Sequence, residues 1–163
     1  MKTLLTLSIL LMVASAKIFE KCELARALKE GGLDGFKGYS LKEWVCTAFY
    51  ESTYNTGAIN LNWNSGKILS VDCGLFQINS FWWCLDDETP VTKRNCGMSC
   101  SAFLDDDLTD DIQCAKSIVT LHPGMKAWYD HLLQEEWNIK VEMFCYSWLP
   151  GVADAMGKTS NIL

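Results

Sequence analysis

Eight cysteines, at positions 22, 46, 73, 84, 96, 100, 114 and 145, restrict this chain more than any other feature. What they mean depends on the compartment, and residues 1–16 indicate it. Lys2 gives a positive start, Leu4 to Val13 is an almost unbroken apolar run, and Ala14-Ser15-Ala16 closes it with the small residues of a cleavage site. The run is too short to span a bilayer, so 1–16 reads as a signal peptide and the protein as secreted and extracellular. All eight cysteines lie in 17–163, and an even number in an oxidising compartment reads as a disulfide framework. A zinc site is the rival reading of Cys96-x3-Cys100, one that a reducing compartment would favour. Spacing alone does not choose among the many pairings that eight cysteines allow.

Removing 16 residues from 163 leaves 147, enough for one compact domain or two lobes sharing a boundary. The chain carries 20 acidic and 14 basic residues, and losing Lys2 takes the net charge from -6 to -7. An acidic surface argues against nucleic acid, whose binding rests on neutralising phosphates. It also predicts a weak first encounter with anionic bacterial surfaces. No later segment is apolar for long enough to suggest a membrane anchor, and a monomer is expected.

Three stretches have helical patterning. Cys22 to Glu30 carries Leu24, Ala25, Ala27 and Leu28, and Gly31-Gly32 stops it. Ser40-Leu41-Lys42-Glu43 has the form of a capping box, in which the serine accepts from an amide and the glutamate reaches back, opening a helix to about Tyr54. A third helix starts near Thr109, with Asp110 and Asp111 in its first turn and Ile112, Ala115, Ile118 and Val119 on its inner face. Between the second and third, Asn55 to Asp72 is rich in Asn, Gly and Ser with short β-branched runs, and reads as a small antiparallel hairpin region. Asn79 to Cys100 reads as loop. The fold class is therefore α+β: a helical lobe plus a small antiparallel β lobe, with a cleft between them.

Glu51 is the first chemical candidate. Trp44, Ala48 and Glu51 fall at i, i+4 and i+7 on the second helix, on the side expected to be buried, with Val45 and Phe49 at its edge. A carboxyl pressed against an apolar face resists ionisation and can serve as a general acid, although a helix-end glutamate more commonly turns to water. Asp72, ending the hairpin among polar neighbours, could supply the ionised partner that glycoside hydrolysis needs, but the chain offers many aspartates. In Phe81-Trp82-Trp83, adjacent rings on a loop cannot all be buried, and exposed indoles stack on sugars; core packing is their commoner use. Asp105, Asp106, Asp107, Asp110 and Asp111 put five carboxylates within seven residues. They form either a solvated acidic loop or a Ca²⁺ site built from hard oxygen ligands.

Taken together, several segments resemble c-type lysozyme in order and spacing. They are Lys17-Ile-Phe-Glu-Lys-Cys22-Glu-Leu-Ala-Arg26, Gly38-Tyr-Ser-Leu-Lys-Glu-Trp-Val-Cys46, Tyr50-Glu-Ser-Thr-Tyr-Asn-Thr56, Gly74-Leu-Phe-Gln-Ile-Asn-Ser80 and Trp82-Trp83-Cys84. The likeness covers roughly Lys17 to Trp128 and implies a lysozyme-like domain over 17–163. Its helical lobe is about 17–54 and 104–128, its β lobe about 55–103, and 129–163 is a divergent C-terminal segment. The resemblance implies Glu51 as proton donor and Asp72 as nucleophile or charge stabiliser in a retaining mechanism. Lysozyme is the type case for this carboxylate pair, and the assignment is taken over from it. By the same likeness, Asn60, Asn62, Gln77, Asn79, Trp82, Trp83 and Ala127 line the sugar cleft and Trp128 packs against Glu51. The family pairing implies Cys84–Cys100 and Cys96–Cys114. Phe103 to Asp111 resembles the calcium loop of alpha-lactalbumin and of calcium-binding lysozymes. That likeness implies Ca²⁺ held by the carboxylates of Asp105, Asp110 and Asp111 and the backbone carbonyls of Ala102 and Asp107.

Four departures stand out. Asp72 lies three residues farther from Glu51 than in the mammalian pattern, so the hairpin is lengthened beside the site. Cys73 replaces a customary tyrosine, as either a reactive or a newly bridged neighbour. After Trp128 the motifs stop, and of the expected late cysteines only Cys145 remains; it is expected to pair with Cys22, leaving Cys46 without its family partner. The net charge is closer to that of alpha-lactalbumin. The expected activity is hydrolysis of the β-1,4 bond between N-acetylmuramic acid and N-acetylglucosamine in bacterial peptidoglycan, or of chito-oligosaccharides. Two alternatives stand beside it: an alpha-lactalbumin-like regulator of a galactosyltransferase, and a non-catalytic carbohydrate-binding relative. Alpha-lactalbumins lack an acid at the Glu51 position, which favours the enzyme.

Overall fold

The structure is a computed structural model describing residues 15–86, 95–121 and 124–129. Four α-helices are described: α1 (Lys21–Glu30), α2 (Leu41–Ser52), α3 (Thr109–Leu121) and α4 (Lys126–Tyr129). Short 3₁₀ turns occupy Phe36–Gly38 and Cys100–Leu104. Between α2 and α3, strands β1 (Ile59–Asn64), β2 (Lys67–Cys73) and β3 (Ile78–Asn79) form one antiparallel sheet in that order. This is the expected α+β arrangement.

The helices start and stop for local reasons. At the start of α2 the Glu43 carboxylate accepts from the Ser40 amide at 2.7 Å. The Ser40 side chain accepts in turn from the Glu43 amide, which completes the expected capping box, and its hydroxyl also hydrogen-bonds to the same carboxylate at 2.9 Å. At the other end, Thr53 and Tyr54 are both left-handed, with φ of 51° and 68°, and their amides close the helix on Phe49 and Ala48. Such a conformation is unusual outside glycine. It turns the chain sharply toward the sheet, one residue after the turn that carries Glu51.

One core joins the two regions. Leu24 and Leu28 of α1, Trp44 and Ala48 of α2, Leu75, Phe76 and Ile78 around β3, and Phe103 and Ile118 are all essentially inaccessible. Trp44 is at its centre, edge-on to Tyr39, Phe76 and Trp128 at centroid separations of 6.3, 6.0 and 6.0 Å. The β region is pinned by Cys84–Cys100 and Cys96–Cys114, the two pairs that the family pattern implied. A loop of that size typically contributes about 3 kcal/mol when crosslinked.

The remaining cysteines correct one expectation. Cys22 is free and half-buried in the first turn of α1, so it does not pair with Cys145. Cys46, which was expected to lose its partner, is the disulfide-bonded one. It is fully buried on α2, and its partner is not among the described residues, Cys145 also lying outside them. Burial separates the two positions, and linear spacing carries no information about burial.

Candidate active site

Glu51 is in the last turn of α2, on the stripe defined by Trp44 and Ala48. The stripe faces the core, so the carboxyl is drawn into the boundary between helices and sheet and is half-buried. Burial pushes its pKa from 4.5 up to about 8, and the nearby charge of Asp72 adds to the shift. At neutral pH Glu51 therefore keeps its proton.

Asp72 is presented by strand geometry. Side chains two apart on a strand share a face, so Ser70 and Asp72 of β2 point the same way. The register sets Asn60 opposite Asp72, Asn62 opposite Ser70, and Asn79 of β3 opposite Asp72 from the other side. The Asn62 amide donates to one Asp72 oxygen at 2.8 Å and the Asn79 amide to the other at 2.5 Å. Both amides also donate to the Ser70 hydroxyl, at 3.1 and 3.0 Å. An ionised carboxylate is acceptor-only and uses both oxygens in such a cradle. Ser70, buried and shared by both amides, is a site residue that the sequence reading missed. Its signal is legible afterwards: it lies two residues before Asp72 on the same strand face.

The two acids line one cleft of about 280 Å³ with Gln77, Asn79, Trp82, Trp83, Ala127 and Trp128, all expected there. Ile78 and Ile118 complete the wall and were not anticipated. Asn60 and Asn62 hydrogen-bond to residues on that wall. Asn60 donates to the Gln77 side-chain oxygen at 2.8 Å, while the Gln77 amide donates to the carbonyls of Ala58 and Gly74 at 3.1 and 2.9 Å. Gln77 itself has φ of 47°. Trp82 is 41% exposed at the rim while its neighbour Trp83 is buried, so the adjacent rings are not all buried, as expected. A larger hollow of about 860 Å³, bounded by Phe19, Phe36, Ile112 and Lys116, lies against α1 and α3 and contains neither acid. Size alone does not identify the site.

Cys73, next to Asp72, is not bridged. Its free thiol is 3% exposed, and burial, then the charges of Asp72 and Asp86, push its pKa up to about 12. A thiol held protonated is a poor nucleophile. The lengthened hairpin has its own bulge between Asn62 and Trp63, which leaves the Asn62–Asp72 hydrogen bond intact.

In the acidic loop, Asp111 is completely buried at the start of α3. Neither of its carboxylate oxygens has a hydrogen-bond partner of normal geometry. Burial holds its pKa well above the usual range; its own amide pulls the other way, Asp105 and Asp110 add to the rise, and the Leu75 amide opposes it more weakly. Asp105 accepts from the Asp107 amide at 2.9 Å, and Asp107 accepts from the Thr109 amide and hydroxyl. Among the described residues, no three acidic, histidine or cysteine side chains converge on one point. An orphaned buried carboxylate of this kind fits a cation.

The sequence profile of the C-type lysozyme/alpha-lactalbumin family matches residues 17–145, extending beyond Trp128, where the motif reading ended. The chain is 52% identical to lysozyme C-1 of Mus musculus over 130 residues, covering 78% of this chain and 86% of that relative. It is 51% identical to the intestinal lysozyme C isozyme of Bos taurus with the same coverage. It is 53% identical to lysozyme C of Bufo gargarizans andrewsi over 110 residues, 68% of this chain and 73% of the relative.

Proposed function

The chain belongs to the C-type lysozyme/alpha-lactalbumin family, and from that premise we propose that it is a secreted lysozyme. It cleaves the β-1,4 bond between N-acetylmuramic acid and N-acetylglucosamine in peptidoglycan with retention of configuration. One observation carries this reading: a protonated Glu51 and a cradled Asp72 face the same cleft. Glu51 gives its proton to the glycosidic oxygen as the bond to C1 breaks. Asp72 meets the positive charge that develops at C1, as nucleophile or stabiliser. Water then attacks C1, and Glu51 recovers the proton. The acid at position 51 speaks against a purely regulatory role.

The purified mature chain should clear a suspension of bacterial walls and leave new reducing ends on N-acetylmuramic acid, with the β-anomer forming first. No clearing at any pH from about 4 to about 9, the range that spans both ionisation states of Glu51, would remove the enzyme reading.

Calcium belongs to the same proposal. Asp105, Asp110 and Asp111, whose carboxylates do not converge in this structure, would have to close round Ca²⁺, with the carbonyls of Ala102 and Asp107. The ion would offset clustered negative charge and steady the start of α3. The buried, unpartnered Asp111 carboxylate supports this. A ligand bound only by the folded state, at a hundred times its dissociation constant, stabilises by about 2.7 kcal/mol. Chelation should therefore lower the melting temperature by roughly 5–10 °C, and Asp111→Asn should abolish the difference. An unchanged melting point after chelation dismisses the metal.

A further inference from the structure

Trp128 forms its part of the cleft wall from a part of the chain far in sequence from both acids. Tertiary contacts hold it there. Among the described residues, two long-range hydrogen bonds do so. The Trp128 indole N–H donates to the Phe76 carbonyl at 2.8 Å, and the Met125 amide donates to the Tyr39 hydroxyl at 3.2 Å. Gly124, with φ of 70°, passes so close to Tyr39 that an added Cβ would overlap the hydroxyl. Tyr39 is also edge-on to Trp44, and Trp44 to Trp128. Met125 between them is fully buried.

We propose that Tyr39 is a positioning residue for hydrolysis: its hydroxyl, by accepting from the Met125 amide, fixes the turn that presents Trp128 to the cleft and keeps water from Glu51. This rests on the lysozyme reading and adds to it a contact from outside the cleft. Without the hydroxyl, a buried amide loses its acceptor, and such a loss is relieved by local rearrangement that lets water in. The Phe76 bond remains, so the wall loosens without leaving. The consequence falls on Glu51, because exclusion of water is what chiefly keeps it protonated.

The test is the Tyr39→Phe variant, read by ¹³C titration of the Glu51 carboxyl and by the pH profile of wall clearing. The Glu51 midpoint should fall toward the ordinary carboxylate value as water reaches the carboxyl. The upper-pH limb of clearing should move with it. A midpoint that stays in place overturns the proposal, whatever happens to the melting temperature. Should Tyr39→Phe fail to fold, Gly124→Ala disturbs the same contact from the other side and must shift the midpoint in the same direction. The titration does not need activity. A protein that clears no walls but still shows the shift retains the positioning role while losing the hydrolase reading.

Discussion

Glu51→Gln slows wall clearing by about 100- to 10,000-fold, the usual contribution of a positioned general acid. Glutamine fills the same space in the last turn of α2 but has no proton of suitable acidity to give. The fold should not suffer. A carboxyl whose folded pKa is raised gives stability that is fully present below the unfolded value and is lost as pH rises through the folded value. Glu51 therefore weakens the native state progressively from about pH 4.5 to about pH 8. Glu51→Gln should flatten that decline and melt no lower than the parent at pH 8. Calorimetry across this window, run beside the turbidity assay, separates a chemical defect from a folding one. Comparable loss of activity and of melting temperature would place Glu51 in the scaffold instead.

The second large effect is on stability. Trp44→Ala costs about 3–5 kcal/mol, as expected for truncating a fully buried aromatic residue, against a typical total of about 5–15 kcal/mol. Trp44 touches Tyr39, Phe76 and Trp128 at once, so the void opens directly behind the cleft wall. Trp44→Phe should lose much less. It keeps a ring in the cluster and removes an indole N–H that has no acceptor among the described residues, a group that is unfavourable to bury. Denaturant unfolding of the two variants checks the ranking. Equal losses would mean that the indole N–H contributes something the geometry does not reveal.

How much the sequence disclosed follows the range of the interactions involved. The start of α2 was legible because Ser40 and Glu43 are three residues apart, and the Glu51 stripe because helical periodicity is local. Asp72 was singled out from the residues only weakly, and the family likeness is what fixed the choice. Among many aspartates, what distinguishes it is a strand register that brings Asn62 and Asn79 to its two oxygens, and register is a pairing of distant residues. Ser70 escaped notice for the same reason. Asn60 and Asn62, expected in the cleft, hydrogen-bond to Gln77 and Asp72, which line it. The cysteines show the limit most clearly: Cys84–Cys100 and Cys96–Cys114 were implied only by the family likeness, and that Cys46 is bonded while Cys22 is free was not legible at all.

The central claim is that Glu51 holds its proton because it is dry, and additionally because a negative Asp72 is close. A ¹³C titration of the Glu51 carboxyl in the parent protein and in Asp72→Asn tests both parts. The expected midpoint is about 8 in the parent. In the variant it should be lower yet still clearly above 4.5, since burial is the larger cause. A parent midpoint near 4.5, or one indifferent to Asp72→Asn, would contradict the account.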